Sequence, residues 1–269
     1  MQRDSLLNTL VVSLALCIIC SLIVSVSAVG LRSFQDANKV LDQKRNIISA
    51  ASLAPGKKTN AKEVDKLFER IEKRVIDLST GEYVDPSVID PNAFDQRKAA
   101  KDPSTTAPVA GPYSTGISTR EKYSLVYLIK SESDPSKVEQ MVFPVYGKGL
   151  WSTLYGFIAL GTDFNTVKGL TFYEHAETPG LGGEVDNPNW KQQWVGKKIY
   201  DPTAVGSTGG LKVNVARSTA SEAAKDYEVD GLSGATITSR GVSNLLRYWF
   251  SDEAFGKFIQ KQQEGKANG

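Results

Sequence analysis

The sequence contains few of the side chains that form disulfide scaffolds and transition-metal sites. Its 269 residues include two cysteines, Cys17 and Cys20, and a single histidine, His175. Two cysteines are too few for a disulfide-rich scaffold or a cysteine-rich zinc site, and one histidine excludes a site with several histidine ligands. The single histidine also argues against a histidine-based catalytic relay, so we expect His175 to be structural. We therefore predict no metal site.

A marked excess of charge of one sign is also absent. The chain has 32 Lys and Arg residues against 30 Asp and Glu residues, which gives a formal net charge of +2. This balance gives no electrostatic reason to expect a nucleic acid as partner. The hydrophobic fraction of 41% is normal for a globular protein, so the composition argues against wholesale disorder.

One long segment near the N-terminus carries no charge. No charged residue lies between Asp4 and Arg32, and residues 6–31 are rich in Leu, Ile, Val and Ala. At about 1.5 Å per residue, a helix of this length spans the roughly 30 Å hydrocarbon core of a bilayer. A cleaved signal peptide is the alternative, because Val26–Ala28 resembles a small-residue cleavage site. The apolar run exceeds the usual signal core of about 7–15 residues, which favours a retained single-pass anchor.

The rest of the chain has helical patterns first and strand patterns later. Six apolar residues recur at helical spacing and predict one amphipathic helix: Val64, Leu67, Phe68, Ile71, Val75 and Leu78. Four segments have the composition of strands: Tyr123–Lys130, Val138–Tyr146, Leu154–Leu160 and Val167–Tyr173. A helix is predicted over Thr238–Phe250, and a short one around Phe255–Ile259. The sequence therefore predicts an α+β fold, with a twisted antiparallel sheet and flanking helices after the N-terminal transmembrane helix.

These patterns divide the chain into six predicted parts. They are a short tail at 1–5, the transmembrane helix at 6–31, juxtamembrane and amphipathic helices at 32–80, a loop-rich insertion at 81–120, the main domain at 121–262 and a flexible tail at 263–269.

Three clusters have the residue types of a binding site. In the first, at 147–156, three glycines alternate with Trp151 and Tyr155, so close backbone approach is combined with flat aromatic surface; a plain β-hairpin with core aromatics is the alternative. In the second, at 175–183, Pro179 is followed by three glycines in four residues. Such a loop exposes backbone N–H and C=O groups and suits a planar polar ring. It matches neither the dinucleotide fingerprint nor the phosphate-binding loop of NTPases.

The third cluster, at 230–239, places small residues and hydroxyls just before a helix. It is compatible with a simple helix cap or with an anion site, because free N–H groups and the helix dipole favour a phosphate there. A hydrolase with Ser233 or Thr236 as nucleophile lacks a suitable base. From the residues alone we therefore expect a phosphate-bearing ligand near Thr236 and a flat ring near 177–182.

Two motifs carry a resemblance to a known family. Asp230-Gly-Leu-Ser-Gly-Ala-Thr236 resembles the flavin-attachment motif D-x-x-[ST]-G-A-[TS] of FMN-binding domains, and Glu177-Thr-Pro-Gly-Leu-Gly182 resembles their E-T-P-G-L-G loop. With the N-terminal span and Gly-Lys-Gly-Leu-Trp-Ser at 147–152, the chain resembles the C-subunit family of sodium-translocating NADH:quinone reductases. The G subunits of Rnf electron-transport complexes share both motifs but usually have Gly-Tyr-Gly-Gly where this chain has 147–150. A non-redox anchored binding module is a third possibility.

The resemblance implies that a flavin transferase joins the phosphate of FMN to the hydroxyl of Thr236. It implies that loop 177–182 borders the isoalloxazine ring. For the phosphate we expect N–H donors from residues 235–239, and Arg240 or Lys212 as counter-charge. The expected FMN-binding residues are Thr236, Asp230, Ser233, Gly234, Ala235, Thr238, Glu177, Thr178, Pro179, Gly180, Leu181, Gly182, Trp151 and Tyr155.

The resemblance also implies a place in a larger assembly. The protein is expected to relay electrons between a membrane iron–sulfur centre and a second covalent FMN on a partner, within a complex of about six subunits that exports sodium. It is expected in the bacterial inner membrane with its soluble domain in the periplasm. It is expected to bind neither NADH nor quinone itself, so no catalytic residue and no complete reaction are assigned to this chain alone.

Overall fold

The computed structural model describes residues 5–54, 60–201, 210–216, 222 and 224–267. The chain divides into two compact units, Met1–Gln43 and Lys44–Gly269. The predicted N-terminal tail lies almost wholly outside the described residues, as do the last two residues of the predicted C-terminal tail.

A single helix, α1, occupies Leu6–Ala50. It is long and apolar enough to cross a membrane, and its apolar stretch is not buried within the chain. The predicted span at 6–31 lies in this helix, and the predicted juxtamembrane helix continues it without a break. Its exposed apolar side chains require a nonpolar environment, which a bilayer supplies.

The second unit is built on a six-stranded sheet in which each neighbouring pair of strands is antiparallel. The strands are β1 (Ile71–Asp77), β2 (Glu82–Tyr83), β5 (Tyr123–Lys130), β6 (Val138–Lys148), β7 (Thr153–Gly161) and β8 (Val167–Glu174), in the spatial order β2-β1-β5-β6-β7-β8. The four strands predicted from sequence are β5 to β8. Their pairing and the helices around them confirm the predicted fold class.

Smaller elements surround this sheet. They are helix α2 (Ala61–Phe68), helix α3 (Gln96–Ala99), strands β3 (Thr106–Pro108) and β4 (Thr119–Glu121), a 3-10 helix (Gly182–Asp186), helix α4 (Pro188–Gln192), strands β9 (Asn214–Ala216) and β10 (Glu228–Asp230), helix α5 (Thr236–Trp249) and helix α6 (Gly256–Ala267). Strands β3 and β4 pair antiparallel, whereas β9 and β10 pair parallel.

The prediction of one amphipathic helix from Val64 to Leu78 is wrong in its second half. Helix α2 ends at Phe68, and β1 follows it and pairs with β5 over seven residues. Ile71 and Val75 are four residues apart, which places them on one face of a helix but also on one face of a strand. The long pairing with β5 decides between the two, so the sheet begins well before the predicted domain boundary at 121.

The segments at 81–120 and 263–269 also differ from expectation in part. Residues 81–120 are mostly turns, but β2 joins the main sheet, and β3 and β4 form a small ladder. Helix α6 extends to Ala267, so most of the predicted flexible tail is helical.

The two faces of the sheet are covered by different elements. Helices α5 and α6 pack on one face, and Phe143 of β6 contacts the rings of Phe250, Phe255 and Phe258 there. On β8 a Cβ added to Gly169 would overlap the carbonyl oxygen of Ala50, so the end of α1 lies tightly against this strand. Burial of both faces fixes the sheet between helices.

A buried polar cluster attaches segment 81–120 to the sheet. Glu121 is fully buried, and its carboxylate accepts hydrogen bonds from Tyr146 Oη at 2.6 Å and from Gln96 Nε2 at 2.5 Å. Burial raises the pKa of Glu121 above its ordinary value, although these hydrogen bonds oppose the shift. Burial therefore disfavours the charged form of Glu121, and the hydrogen bonds offset part of that cost.

Replacing Ile48 by Ala is expected to lower the free energy of unfolding by about 2–5 kcal/mol, because Ile48 is 2% exposed and a cavity would remain. Val40→Ala on the same helix is the matched control, since Val40 is 55% exposed; we expect a change within about 0.5 kcal/mol. Denaturant unfolding of the full chain in detergent measures both. Equal effects would contradict the packing of the helix end.

Glu121→Gln is expected to flatten the pH dependence of stability. Because the folded-state pKa is raised, stability from the protonated carboxyl is complete below the unfolded value of about 4.5 and is lost as pH rises through the folded value. The wild type should therefore lose stability relative to E121Q as pH rises from 4.5 to neutral. Denaturant midpoints measured across this range test it, and parallel profiles would exclude a raised pKa.

Candidate functional site

The three clusters identified in the sequence meet at the side chain of Glu177. Its Oε1 accepts hydrogen bonds from the backbone N–H of Trp151 and of Ser152, both at 3.0 Å, and from Ser152 Oγ at 3.1 Å. Its Oε2 accepts from the backbone N–H of Leu150 at 3.1 Å and from Thr238 Oγ1 at 2.7 Å. One carboxylate thus joins the β6–β7 turn, loop 177–182 and the start of helix α5.

Glu177 is charged in this setting. Only 5% of it is exposed, and this burial alone would raise its pKa. The hydrogen bonds from Thr238 and from the amides of the β6–β7 turn outweigh burial, so the pKa of Glu177 lies below its ordinary value. Five donors are enough to satisfy both oxygens, which is the condition for burying a carboxylate without a large penalty.

Glycines permit the close packing around this carboxylate. A Cβ on Gly149 would lie 2.6 Å from Glu177 Oε1, and one on Gly182 would lie 2.6 Å from Thr238 Oγ1 and 2.7 Å from Glu177 Oε2. A Cβ on Gly241 of α5 would overlap the carbonyl oxygen of Lys148. No larger side chain fits at these positions without separating the segments.

The two threonines at the start of α5 have different environments. Thr238 is 1% exposed, and its hydroxyl donates to Glu177. Thr236 is exposed at the first position of the helix. Its hydroxyl is open to a reagent or ligand from solvent, whereas that of Thr238 is enclosed.

The loop before Thr236 is held by residues that sequence analysis did not identify. Trp190 Nε1 donates to the carbonyl oxygen of Asp230 at 2.8 Å, and the backbone N–H of Asp230 donates to Gln193 Oε1 at 3.1 Å. Ser239 Oγ accepts from the backbone N–H of Leu232 at 3.0 Å. These contacts leave Asp230, Ser233 and Gly234 at the surface. Ser239 lay inside the third cluster, but its backbone partner is visible only in three dimensions.

The helix start presents free amides, though fewer than expected. Ala235 is the N-cap and supplies no side-chain hydrogen bond to the first turn. Its own N–H donates to the carbonyl oxygen of Leu232 at 3.1 Å, and the N–H of Ser239 donates to that of Ala235 at 3.0 Å. Of the five amides predicted as donors, Thr236, Ile237 and Thr238 therefore remain at positions where a helix leaves N–H groups without an internal partner.

Exposed apolar side chains surround the helix start. Leu150 is 47% exposed, Trp151 71%, Leu181 43% and Ile237 54%. These four residues, here called the apolar rim, account for most of the large exposed apolar side chains in the described part of the second unit. Apolar surface of this kind is a feature of binding sites for flat ligands.

Tyr155 is not brought into this cluster. Its ring stacks on Tyr146 with centroids 5.5 Å apart, and Arg97 Cζ lies 4.0 Å from its centroid. Arg97 in turn forms a two-pronged ion pair with Glu174. Tyr155 therefore packs against its sheet neighbours and segment 81–120.

The two proposed counter-charges differ as well. Lys212 Nζ lies 2.5 Å from Asp201 Oδ2, so its charge is already paired. Arg240 is exposed on α5, four residues after Thr236 and hence on the same helix face. Arg240 is thus the better placed cation for a phosphate at Thr236.

His175 lies beside loop 177–182 and links its start to the 3-10 helix that follows it. Its Nε2 lies 2.8 Å from Asp186 Oδ2, and its Nδ1 accepts a hydrogen bond from the N–H of Glu177 at 3.2 Å.

Comparison with known proteins decides the family. The C subunit of the Na(+)-translocating NADH-quinone reductase of Pseudomonas aeruginosa is 44% identical over 272 residues, covering 99% of each sequence. The corresponding protein of Vibrio parahaemolyticus is 44% identical over 271 residues, again with 99% of each covered. The chain belongs to the C-subunit family of Na(+)-translocating NADH-quinone reductases, or NqrC family. The family resemblance noted from the two motifs is therefore confirmed.

A structural comparison agrees with membership of the NqrC family. The crystal structure of Shewanella oneidensis NqrC matches with a TM-score of 0.74 and 32% identity, covering 85% of this chain and 99% of that one. The FMN-binding domain family matches residues 149–251. This range contains all three segments that Glu177 joins. The match with the NqrC sequences runs over nearly the whole length and so includes segment 81–120.

Within the described ranges, no three His, Cys, Asp or Glu side chains are grouped so that they could hold a metal ion. The chemistry of the site is that of backbone amides, hydroxyls and one buried carboxylate.

Gly241→Ala is expected to lower the free energy of unfolding by about 1–3 kcal/mol, because the new methyl group pushes α5 away from the backbone of Lys148. Gly265→Ala makes the same change in α6, where no atom lies within 4 Å, and should be neutral or stabilise by up to about 1 kcal/mol. Thermal unfolding of the two full-length variants gives the comparison. Similar melting temperatures would contradict the close approach of α5.

Proposed function

We propose that the chain is a membrane-anchored electron-transfer subunit of a Na(+)-translocating NADH-quinone reductase, and that FMN is esterified through its phosphate to Thr236. Family membership and the FMN-binding domain match support FMN as the cofactor. The contrast between Thr236 and Thr238 carries the choice of attachment site, because only Thr236 offers an exposed hydroxyl.

The residues around Thr236 fit a phosphoester. The ester would keep one negative charge at the start of α5, where the first-turn amides and the helix dipole favour an anion. Arg240 lies on the same face and supplies a cation without breaking an ion pair of the described residues. The small residues Ser233 and Gly234 keep the approach to Thr236 open.

The apolar rim and loop 177–182 fit the ring of the flavin. Gly180 has a φ of +76° and no atom within 4 Å of an added Cβ, so the loop turns sharply beside open space. Leu181 reaches across to the attachment loop, where a Cβ on Gly234 would lie 2.9 Å from Leu181 Cδ2. When bound, FMN supplies the ability to accept and release electrons. The protein supplies the attachment, a flat apolar support and a fixed charge environment.

A flavin transferase can attach FMN to Thr236 with FAD as the donor, and all atoms of the reaction are accounted for. The oxygen of Thr236 forms a bond to the FMN phosphorus, the pyrophosphate bond of FAD breaks, and AMP leaves as the hydroxyl proton is released. A covalent link prevents loss of the cofactor to the outside from the periplasm, where we place the soluble domain.

The wider setting is part of the same proposal. We place α1 in the bacterial inner membrane and the electron path between a membrane iron–sulfur centre and a second flavin on a partner, in a complex of about six subunits. The apolar, uncharged span of α1 supports the anchor. The names of the relatives and the Gly-Lys-Gly-Leu sequence at 147–150 favour this complex over the Rnf assembly.

Thr236→Val is expected to abolish covalent flavin labelling. The full chain is co-produced with a flavin transferase and run on a denaturing gel, where the wild type should fluoresce and T236V should not. Intact mass should show the wild type heavier by one FMN minus one water. Thr238→Ser is the matched control, because it keeps the hydroxyl that Glu177 binds, and it should label fully. A fluorescent T236V band would refute the attachment site.

A further inference from the structure

We propose that the carboxylate of Glu177 is a positioning residue and a fixed anion beneath the flavin, and that its charge lowers the reduction potential of FMN attached at Thr236. This inference rests on the function proposed above. It concerns a residue of loop 177–182 that was expected only to border the ring.

Each member of the apolar rim either donates a hydrogen bond to Glu177 or is next in sequence to a residue that lies against it. Leu150 and Trp151 donate their own backbone N–H groups to the carboxylate. Ile237 precedes Thr238, whose hydroxyl donates to the same group. Leu181 precedes Gly182, where an added Cβ would lie 2.7 Å from Glu177 Oε2. The four exposed side chains therefore lie close to a single carboxylate, and a flavin ring held on them would lie near it.

The negative charge of Glu177 is not neutralised by a neighbouring cation. All five hydrogen-bond donors are neutral amides or hydroxyls. Among the ion pairs formed by described residues, none involves Glu177. With 5% exposure the group is also shielded from solvent, so its field is weakly screened on the side of the ring.

The same hydrogen bonds prevent the carboxylate from moving away. Its oxygens are bound to the β6–β7 turn on one side and to α5 on the other. A free side chain would rotate towards solvent when negative charge develops nearby, but this one is held at two oxygens. The carboxylate therefore keeps its position when negative charge develops nearby, which makes it a preorganised anion.

A fixed anion below the ring opposes reduction. Adding an electron to the flavin places negative charge on the ring, unless a proton follows it. The repulsion raises the free energy of the reduced form relative to the oxidised form, so the potential falls. A protein that passes electrons onward benefits, because a lower potential makes its flavin a better donor to the next carrier.

The central test is Glu177→Gln in the full chain, loaded with FMN by the transferase and titrated in a spectroelectrochemical cell against redox mediators. The Gln oxygen can accept the three hydrogen bonds made to Oε1, and its amide group can donate to Thr238 Oγ1. The links to the β6–β7 turn and to α5 are therefore kept, while the charge and the hydrogen bond from the Leu150 N–H are lost. We expect the equilibrium constant for reduction to rise on the order of tenfold, which is about 59 mV more positive for a one-electron step.

Two control variants distinguish an effect of the Glu177 charge on the reduction potential from an effect of altered structure. Asp186→Asn removes the same charge from the end of the loop at a site 53% exposed, and its potential should stay with the wild type because solvent screens it. Thr238→Val removes the link to α5 but keeps the anion, so it should lower the melting temperature and leave the potential nearly unchanged. An unchanged potential in E177Q, or an equal shift in D186N, would overturn the proposal.

Glu177→Asp covers the case in which E177Q does not fold. Asp keeps the charge, but its side chain is one methylene shorter. If the charge at position 177 sets the reduction potential, the potential of E177D should stay near that of the wild type. If instead the hydrogen bonds that join the three segments set it, both E177D and T238V should show a large shift in potential. A shift of that kind would refute the role of the charge. Failure of the attachment proposal is recognised separately, because the wild type itself would then show no fluorescent band in a denaturing gel.

Discussion

The site depends on the requirement that a buried carboxylate be fully hydrogen-bonded. An unsatisfied carboxylate inside a protein costs several kcal/mol, on the order of the net stability of a domain. Glu177 meets this requirement only when the β6–β7 turn, its own loop and α5 come together. The need for glycine at Gly149 and Gly182 follows, because a side chain at either position would occupy the space of the carboxylate or its partner. The same requirement fixes where the exposed hydroxyl of Thr236 lies.

The antiparallel sheet brings these three segments together at one end of the β6–β7 pair. Strands β6 and β7 pair from Gln140–Gly161 to Lys148–Thr153, so their connecting turn projects from the sheet at a defined place. Helix α5 lies against β6, where a Cβ on Gly147 would meet Leu245 Cβ at 2.7 Å. Trp249 Nε1 also donates to the carbonyl oxygen of Tyr146 at 2.7 Å. The β6–β7 pairing and the close packing of α5 on β6 together fix the position of the start of α5 relative to the β6–β7 turn. The packed core therefore determines the geometry of the site.

The sequence predicted those parts of the structure that depend on local pattern. The composition of Tyr123–Lys130 and its three partners was enough to identify the central strands, and the glycine-rich motifs identified the loops of the site. Strand β1 was missed because its spacing of four between Ile71 and Val75 is shared by helices and strands, and only pairing with β5 decides between them. Tyr155 was expected at the site from its place in the glycine and aromatic cluster at 147–156, and its contacts with Tyr146 and Arg97 could not be predicted from that cluster. The role of Glu177 depends on contacts between residues up to 61 positions apart, which no local pattern reveals.

The spacing of Thr236 and Thr238 explains why their hydroxyls have different environments. Residues two positions apart on a helix point about 200° away from each other, because each residue turns the helix by about 100°. Thr238 can therefore face Glu177 only if Thr236 faces away from it. Helix geometry thus places the Thr238 hydroxyl, which binds α5 to Glu177, on one side and the exposed Thr236 on the other. An inserted or deleted residue between them would turn the Thr236 hydroxyl away from solvent or detach α5 from the carboxylate, so the hydrogen bonding of Glu177 fixes the spacing of the two threonines.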